Sequence, residues 1–469
     1  MNYILGFLVY LPAVLAGGLL VHTIWHGTQP SRLLIKFGLG IGLGLGLTSF
    51  LTFLVLLVTN QLVGFMAIQL LLLTCGVILT WRNWKSNPLI PERLAFTRLQ
   101  KILLGGFLVT LLTTVSAYAL YAVMTPTGRF DAWMIYNRTA RFIFRDPAHW
   151  QNTLSPELYW LFHADYPLLI PVNVAGAWST LGGEIMRAPQ AQSAYFLVAI
   201  FCVLMGAIAH LRTVGQSLLA GITLLAIPVF YYTAAREEAD IPTAFFILAT
   251  IVLLFLYNEN RRPALIAFAG LTAGFAAWTK NEGLLFLVTG SLAWLAGLYR
   301  QGQWRELKWY GLGLALPLAV ALYFKFFLAP SNDLFASQGM TSLPGRLLDI
   351  RRYLVVAKSF LAQWAVFGNG SLPIVLIALY GLVVGFDQAR PHRQVVSIAA
   401  GALLLQLVGY FFVYVLTPHD INWHLRTSMY RLIIHVFPSV LFIFFASIAD
   451  PETIFAKTAN PSNSRRFWL

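Results

Sequence analysis

Long apolar stretches separated by short polar turns recur along the whole chain. Thirteen of them approach the length of about 20 residues that an α-helix needs to cross a bilayer. The pattern therefore predicts an all-α, polytopic membrane protein with about 13 transmembrane helices. The predicted spans cover residues 3–21, 33–57, 62–80, 102–124, 190–211, 217–233, 241–257, 264–278, 284–299, 309–328, 371–387, 395–416 and 431–448.

One further stretch, residues 166–183, decides the topology, because counting it as a span inverts the sidedness of everything after it. Its apolar character is interrupted by Pro167, Pro171, Asn173 and Gly176. Since prolines crowd its start, we expect an interfacial or re-entrant segment instead of a span.

The composition excludes a soluble protein. Of 469 residues, 58% are hydrophobic and 11% are charged, whereas soluble domains carry about 25% charged residues. The two cysteines, Cys75 and Cys202, lie inside apolar stretches, so they indicate neither a metal cluster nor a disulfide.

The net charge of +14 reflects membrane sidedness and not a nucleic-acid partner. With residues 166–183 left out of the spans, one set of loops carries more than half of the basic residues and one third of the 18 carboxylates. The positive-inside rule assigns that side to the cytoplasm. The N-terminus is then outside and the C-terminus inside, and most carboxylates face outward.

Outer segments concentrate ionisable groups at the ends of apolar helices, where desolvation makes charges costly and a functional site is often found. In the first, residues 128–144, aromatic residues alternate with arginines after Asp131. This pattern is typical of a helix in the membrane interface. The functional interpretation is that Asp131 begins this helix at the mouth of the bundle, and the alternative is an amphipathic loop helix that merely lies on the membrane. His163 and Asp165 follow in the same outer loop.

Two more outer segments carry candidate chemistry. Residues 235–242 place three carboxylates beside an arginine, which favours a divalent-metal or phosphate site, with an internally paired surface turn as the alternative. Residues 417–431 combine histidines, an aspartate and arginines. The candidate residues of these segments and of the intervening 279–283 turn are Arg236, Glu237, Glu238, Asp240, Lys280, Glu282, His419, Asp420, His424 and Arg426.

These motifs, taken in order, resemble the GT-C glycosyltransferases, and most nearly the bacterial relatives of protein mannosyltransferases and aminoarabinose transferases. The resemblance rests on Asp131, a His-x-Asp-Tyr-Pro stretch, an Ala-Asp240-Ile-Pro turn, a Trp-Thr-Lys280-Asn-Glu282-Gly turn and a Trp423-His-Leu-x-Thr-Ser-x-x-Arg segment. It covers roughly residues 100–450. Family members often have two adjacent acids at the first position, whereas Ala132 follows Asp131 here, which leaves a metal ligand at that position open.

The resemblance implies a domain organisation. Residues 1–100 are an additional N-terminal transmembrane unit of three spans. Residues 101–450 form a GT-C-like catalytic domain with outer loops at 125–189 and 329–370, and residues 451–469 form a short cytoplasmic tail. The 329–370 loop contains Arg346, Arg351, Arg352 and Lys358 among apolar residues, which favours a surface helix that covers the donor phosphate or binds anionic headgroups.

The resemblance also implies a reaction. A sugar moves from a polyprenyl-phosphate carrier to a lipid, glycan or protein acceptor on the non-cytoplasmic face of a bacterial plasma membrane, with inversion at the anomeric carbon. Such transfer needs a base for the acceptor and cations for the departing phosphate. We expect Asp131 as the base, Arg236, Lys280 and Arg426 as phosphate ligands, and membrane lipids as further partners. Glu237, Glu238 and Asp240 are the candidate ligands if a divalent metal is used.

Two other classes fit the same outer-face chemistry. A transporter or flippase of a lipid-linked or amphipathic solute would place its charges near the bilayer midplane, often in two related halves, and we see neither feature. A lipid-linked oligosaccharide ligase or polymerase would share the site and the carrier lipid, and the sequence does not separate it from a single-sugar transferase.

Overall fold

The computed structural model describes residues 2–83, 96–158, 160–332, 343–368, 373–387 and 392–451. Nineteen α-helices are described within these ranges: α1 Asn2–Leu8, α2 Leu11–Ile24, α3 Pro30–Thr59, α4 Phe65–Arg82, α5 Arg98–Met124, α6 Asn137–Arg145, α7 Leu169–Leu181, α8 Arg187–Leu211, α9 Val214–Leu225, α10 Pro228–Ala235, α11 Asp240–Asn260, α12 Pro263–Thr279, α13 Asn281–Gln301, α14 Leu307–Tyr323, α15 Leu343–Leu348, α16 Ile350–Ala365, α17 Pro373–Val384, α18 Arg393–Leu416 and α19 Ile421–Ser447.

Apolar helices make up the membrane-type architecture that the sequence predicts. Ten of the described spans are long and apolar enough to cross a bilayer, and an eleventh results if α9 and α10, bent by 61° at the Pro228 break, count as one. Pro228 explains the bend, because proline cannot donate the backbone hydrogen bond that would continue α9. Outside the α-helices, the described backbone consists of loops, short 3₁₀ and π turns, and an isolated bridge between Phe386 and Ile448. The all-helical, multi-pass prediction is thereby confirmed.

Glycines in α3 allow the N-terminal helices to pack closely on the rest of the bundle. A Cβ atom at Gly44 would lie 1.9 Å from the backbone oxygen of Ala13 in α2, and one at Gly42 would lie 1.8 Å from the Phe245 ring in α11. Small residues let helix backbones approach to van der Waals distance inside a membrane protein. The glycine-rich run is therefore a packing face, and it joins α2 and α3 to the later helices.

Polar contacts join the turns at each end of the bundle. At one end, Asn137 donates to Glu237 and Gln151 donates to Asn60. At the opposite end, Arg212 contacts Asp387 at 2.6 Å and Arg262 donates to the backbone oxygen of Ile24. We call the end that carries Asn137 and Glu237 the site end.

Helix α7 returns to the end from which it entered. Before it, Asp165 accepts a hydrogen bond from Asn281 at 2.7 Å. After it, Glu184 contacts Arg141 of α6 at 2.9 Å. Both flanks therefore lie at the site end, and residues 169–178 of this 13-residue helix are buried.

Candidate active site

A buried carboxylate, Asp240, is the centre of an ionic cluster at the site end. Its side chain is fully buried at the first residue of α11. One oxygen, Oδ1, lies 2.8 Å from Lys280 Nζ and 2.6 Å from His435 Nε2. The other, Oδ2, accepts from Arg431 Nη2 at 2.8 Å and Nε at 3.0 Å. A buried charge is tolerated only with such partners, so these four side chains depend on one another.

Arg431 connects the buried centre with the more open Asp131. Its Nη2 lies 2.6 Å from Asp131 Oδ2, and its Nε lies 3.7 Å from Glu238 Oε2. The side chains of Asp131 and Arg431 are each 15% exposed. Asp131 Oδ1 has no hydrogen-bond partner among the residues that the structure describes. Asp131 thus lies at the edge of the cluster, with one oxygen held and one oxygen available.

Lys280 belongs to the interior of this cluster. It occupies the extended turn between α12 and α13, its side chain is 2% exposed, and its Nζ also lies 3.0 Å from Glu282 Oε1. Burial opposes the charged ammonium, but the nearby carboxylates of Asp240 and Glu282 outweigh it and raise the pKa of Lys280. These contacts make Lys280 a group that holds Asp240 and Glu282 in position.

Glu237 and Glu238 lie in the tight turn between α10 and α11 and are both buried. Glu237 has a positive φ of 60° and accepts a hydrogen bond from Asn137 at 2.8 Å. Burial raises the pKa of Glu237 to about 8 and that of Glu238 to about 7. The two carboxylates therefore hold protons more tightly than ordinary glutamates do.

The three acids that the sequence offered as metal ligands have different partners. Glu237 accepts from Asn137, Glu238 faces Arg431, and Asp240 is surrounded by cations. Among the described residues, no group of three or more His, Cys, Asp or Glu side chains is arranged to hold a metal ion. The donor set does not fit a divalent ion in this arrangement, and we derive no chemical step from one.

Arg236 forms a second cationic feature beside Asp131. Its Nε and Nη1 donate to the hydroxyls of Tyr121 at 3.2 Å and Tyr430 at 3.4 Å. Arg129 donates to the same Tyr121 hydroxyl at 3.2 Å, and its backbone N–H donates to the Arg236 carbonyl. Within the described ranges, neither guanidinium is within ion-pair distance of a carboxylate. Two guanidinium groups thus share one phenol hydroxyl at the bundle surface.

Asp165 forms a polar cluster next to the Lys280 turn. Its Oδ2 accepts from Asn281 at 2.7 Å and from Asn332 at 2.9 Å, and it lies 3.5 Å from Lys325 Nζ. Nearby, the ring of His163 stacks on that of Tyr166 with centroids 4.6 Å apart. The loop that precedes α7 is therefore attached to the α12–α13 turn and to the π turn that follows α14.

The first turns of α19 hold the remaining predicted residues. Asp420 caps this helix by accepting from the backbone N–H of Trp423 at 2.7 Å. His424 Nδ1 lies 2.8 Å from Thr417 Oγ1, and the His419 ring packs on Trp423 with centroids 5.7 Å apart. Arg426 is exposed and donates to the backbone oxygen of Asn422. These residues thus lie in the first turns of α19 and in the turn before it, at a distance from Asp240.

Two arginines of the predicted surface helix hold the end of α18. Arg352 donates to the backbone oxygens of Val415 at 2.7 Å and Thr417 at 2.8 Å, and Arg346 donates to that of Leu416 at 3.0 Å. Cations favour the carbonyls at a helix C-terminus. In this structure, Arg346 and Arg352 fix α15 and α16 beside the turn that leads into α19.

Sequence reasoning included Arg431 in the segment that ends the resemblance but not among the site residues, and it did not select His435 or Tyr410. His435 lies in an apolar stretch and connects Asp240 to the Tyr410 hydroxyl, 3.0 Å from its Nδ1. A histidine and an arginine inside a predicted span are themselves a signal, because ionisable groups at that depth are costly. That signal would have found both residues.

Comparisons of the chain with protein-family models, with curated proteins and with solved structures find no match. The case for a function therefore rests on the residues and their geometry.

Proposed function

We propose that this chain is an integral-membrane glycosyltransferase that moves a sugar from a polyprenyl-phosphate carrier to an acceptor. The observation that carries the proposal is the position of Asp131. Its Oδ2 is held by Arg431 against the buried Asp240 centre, while its Oδ1 remains available at the edge of the cluster. A positioned, partly exposed carboxylate is the geometry expected of a general base.

The proposed reaction is a single displacement. Asp131 takes the proton from an acceptor hydroxyl or amine, whose oxygen or nitrogen then bonds to the anomeric carbon. The bond between that carbon and the phosphate oxygen breaks, and the electron pair leaves with the polyprenyl phosphate. Attack opposite to the leaving group inverts the anomeric configuration.

The departing phosphate gains negative charge and needs cations near Asp131. We assign this role to Arg236 and Arg129, which both donate to the Tyr121 hydroxyl and have no described carboxylate within ion-pair distance. Arg129 precedes Asp131 by two residues, and the hydrogen bond from its N–H to the Arg236 carbonyl joins the two turns. Lys280 then acts indirectly, by holding Asp240, which in turn positions Arg431.

The membrane assignment completes the proposal. We propose thirteen spans. They are the eleven described above, α12, and the apolar part of α17, residues 375–384. The helices of the first outer loop would then lie at the interface. By the positive-inside rule, the site end faces the non-cytoplasmic side of a cell membrane, where a lipid, glycan or protein supplies the acceptor group.

A mass-spectrometric comparison of the cell envelope tests this proposal. Glycolipids and glycoproteins are compared between cells that carry the gene, cells that lack it, and cells in which the full chain has been restored. We expect a glycan that is one sugar shorter, together with accumulation of the lipid-linked donor, only where the chain is missing. Identical envelope glycans in all three strains would contradict the proposal. If the donor accumulates in cells that lack the gene, but their permeabilised membranes still transfer the sugar at the normal rate, the result would support a flippase instead.

A further inference from the structure

A second group of buried and half-buried cations lies at the end of the bundle opposite to the site end. It consists of Arg32, Lys36, Arg262 and His26, which we call the basic cluster. Lys36 is 3% exposed although it bears an ammonium group. The proposed glycosyl transfer does not use these residues, so their clustering needs a separate explanation.

The basic cluster surrounds the C-terminus of α2. Arg262 Nη1 donates to the backbone oxygen of Ile24 at 3.1 Å, Arg32 Nη1 donates to that of His26 at 3.1 Å, and Lys36 Nζ donates to that of Gly27 at 2.6 Å. Burial and the positive charges of Arg262 and Lys36 lower the pKa of His26. Basic side chains from three separate segments therefore lie around the same turn.

The negative charge nearby does not balance these cations. A helix C-terminus is equivalent to about half a negative charge, whereas the cluster contains two arginines and a lysine. The carboxylate that faces it, Glu259, acts on Arg32 and is also bound by His210 at 2.9 Å. The cluster thus keeps an excess of positive charge.

Two N–H donors of this region also lack an acceptor. Trp25 Nε1 and Arg32 Nε are buried and have no hydrogen-bond partner within the described ranges. The guanidinium of Arg32 lies 5.4 Å from the centre of the Trp25 ring, and the ammonium of Lys36 lies 5.9 Å from it. Unsatisfied buried donors are uncommon in folded proteins. An oxyanion beside Arg32 would supply both the missing charge and an acceptor.

We propose that the basic cluster binds the phosphate group of an anionic lipid headgroup. Basic pockets between transmembrane helices on the positively charged side are suited to such headgroups, because the bilayer presents phosphates at that depth. Guanidinium groups bind phosphate oxygens through paired, charge-assisted hydrogen bonds. The site is separate from Asp131 and Asp240, so it stands independently of the proposed transferase activity.

Lipid binding to the purified full-length chain tests the proposal, with native mass spectrometry as the measurement. The probes are phosphatidylglycerol, phosphatidylcholine with the same acyl chains, and inorganic phosphate as competitor. We expect tighter binding of phosphatidylglycerol, and a loss of about tenfold or more in Arg262→Gln and in Arg32→Gln, since each removes a charge-assisted contact. Competition by inorganic phosphate would show that free phosphate binds the same site. If inorganic phosphate does not compete, the lipid headgroup is the ligand.

Arg261→Gln is the matched control. Arg261 adjoins Arg262 in the chain, but it is exposed and donates to Gln303 and Asn258. The Arg261→Gln variant should bind each of the two lipids with the same affinity as the parent. Equal affinity of the parent for the two lipids, or an equal loss in Arg261→Gln, would overturn the proposal. If Arg262→Gln does not fold, Arg32→Gln decides.

Discussion

Arg431 and Asp131 are 300 residues apart in the chain, yet Nη2 of the arginine lies 2.6 Å from Oδ2 of the aspartate. This contact joins the loop that follows α5 to α19. It also determines which oxygen of Asp131 remains available for chemistry.

Asp131→Asn tests the role of that oxygen. Asparagine keeps an acceptor for Arg431 but is not basic, so transfer should fall by about 10²–10⁴-fold, the usual contribution of general-base catalysis. Turnover of a lipid-linked sugar by the purified chain is the measurement, with donor binding followed in parallel. Asp146→Asn, in the same loop but exposed and paired with His149, should remain active. Activity of Asp131→Asn within a fewfold of the parent would remove Asp131 as the base.

Asp240→Asn should destabilise the fold strongly. The substitution leaves Lys280, which is 2% exposed, beside a neutral side chain, and breaking a buried ion pair costs about 3–5 kcal/mol. Unfolding of the purified protein across a series of detergent mixtures measures the loss of stability. Asp420→Asn is the control, because asparagine caps a helix about as well as aspartate does. Similar stability of the two variants would argue against the central role of Asp240.

Stability should depend on pH through Glu237. Burial raises its pKa from 4.5 to about 8, so the native state keeps a proton that the unfolded chain has already released. The resulting stabilisation is present below about pH 4.5 and is lost as the pH rises through about 8. Glu237→Gln can still accept from Asn137, and it should lose less stability than the parent between about pH 5 and about pH 9.

Thermal unfolding across this pH range measures the difference. Each pKa unit corresponds to about 1.4 kcal/mol, so a few kcal/mol is the upper bound. Glu157→Gln, at an exposed position of the first outer loop, should follow the parent. A Glu237→Gln curve parallel to that of the parent would show that Glu237 does not titrate in this way.

Gly44→Ala should loosen the N-terminal helices. Its Cβ would lie 1.9 Å from the Ala13 backbone oxygen, so α2 and α3 must separate. Overpacking of this kind costs about 1–3 kcal/mol. Gly105→Ala on α5, where nothing lies within 4 Å of the added atom, should be neutral or slightly stabilising. Equal resistance of both variants to detergent unfolding would count against the packing role of the α3 glycines.

Cysteine labelling tests the sidedness. In a chain with Cys75 and Cys202 replaced by serine, Glu157→Cys should react with a membrane-impermeant thiol reagent added outside intact cells. Arg305→Cys should react only after permeabilisation. Both positions are exposed in the fold, so access depends on the membrane alone. The reverse labelling pattern would place the site end in the cytoplasm.

The apolar stretches by themselves determined the architecture. An apolar segment of membrane-spanning length satisfies its backbone only as a helix, so the spans and most of their boundaries could be predicted without tertiary information. The prolines of 166–183 likewise predict a segment that does not span, and the contacts on both flanks of α7 lie at the site end. Asp131, Asp240, Lys280 and Glu282 were recognisable because charges at helix ends are costly.

Only the tertiary structure decided which of these charges meet. Arg431, His435 and Asp131 converge on or around Asp240 because helices distant in sequence pack side by side, and no local pattern encodes that register. The same packing leaves Asp420 at a helix cap and Arg426 on the surface. Burial, which follows from the whole bundle, is what raises the pKa of Glu237 and encloses Lys280 between Asp240 and Glu282.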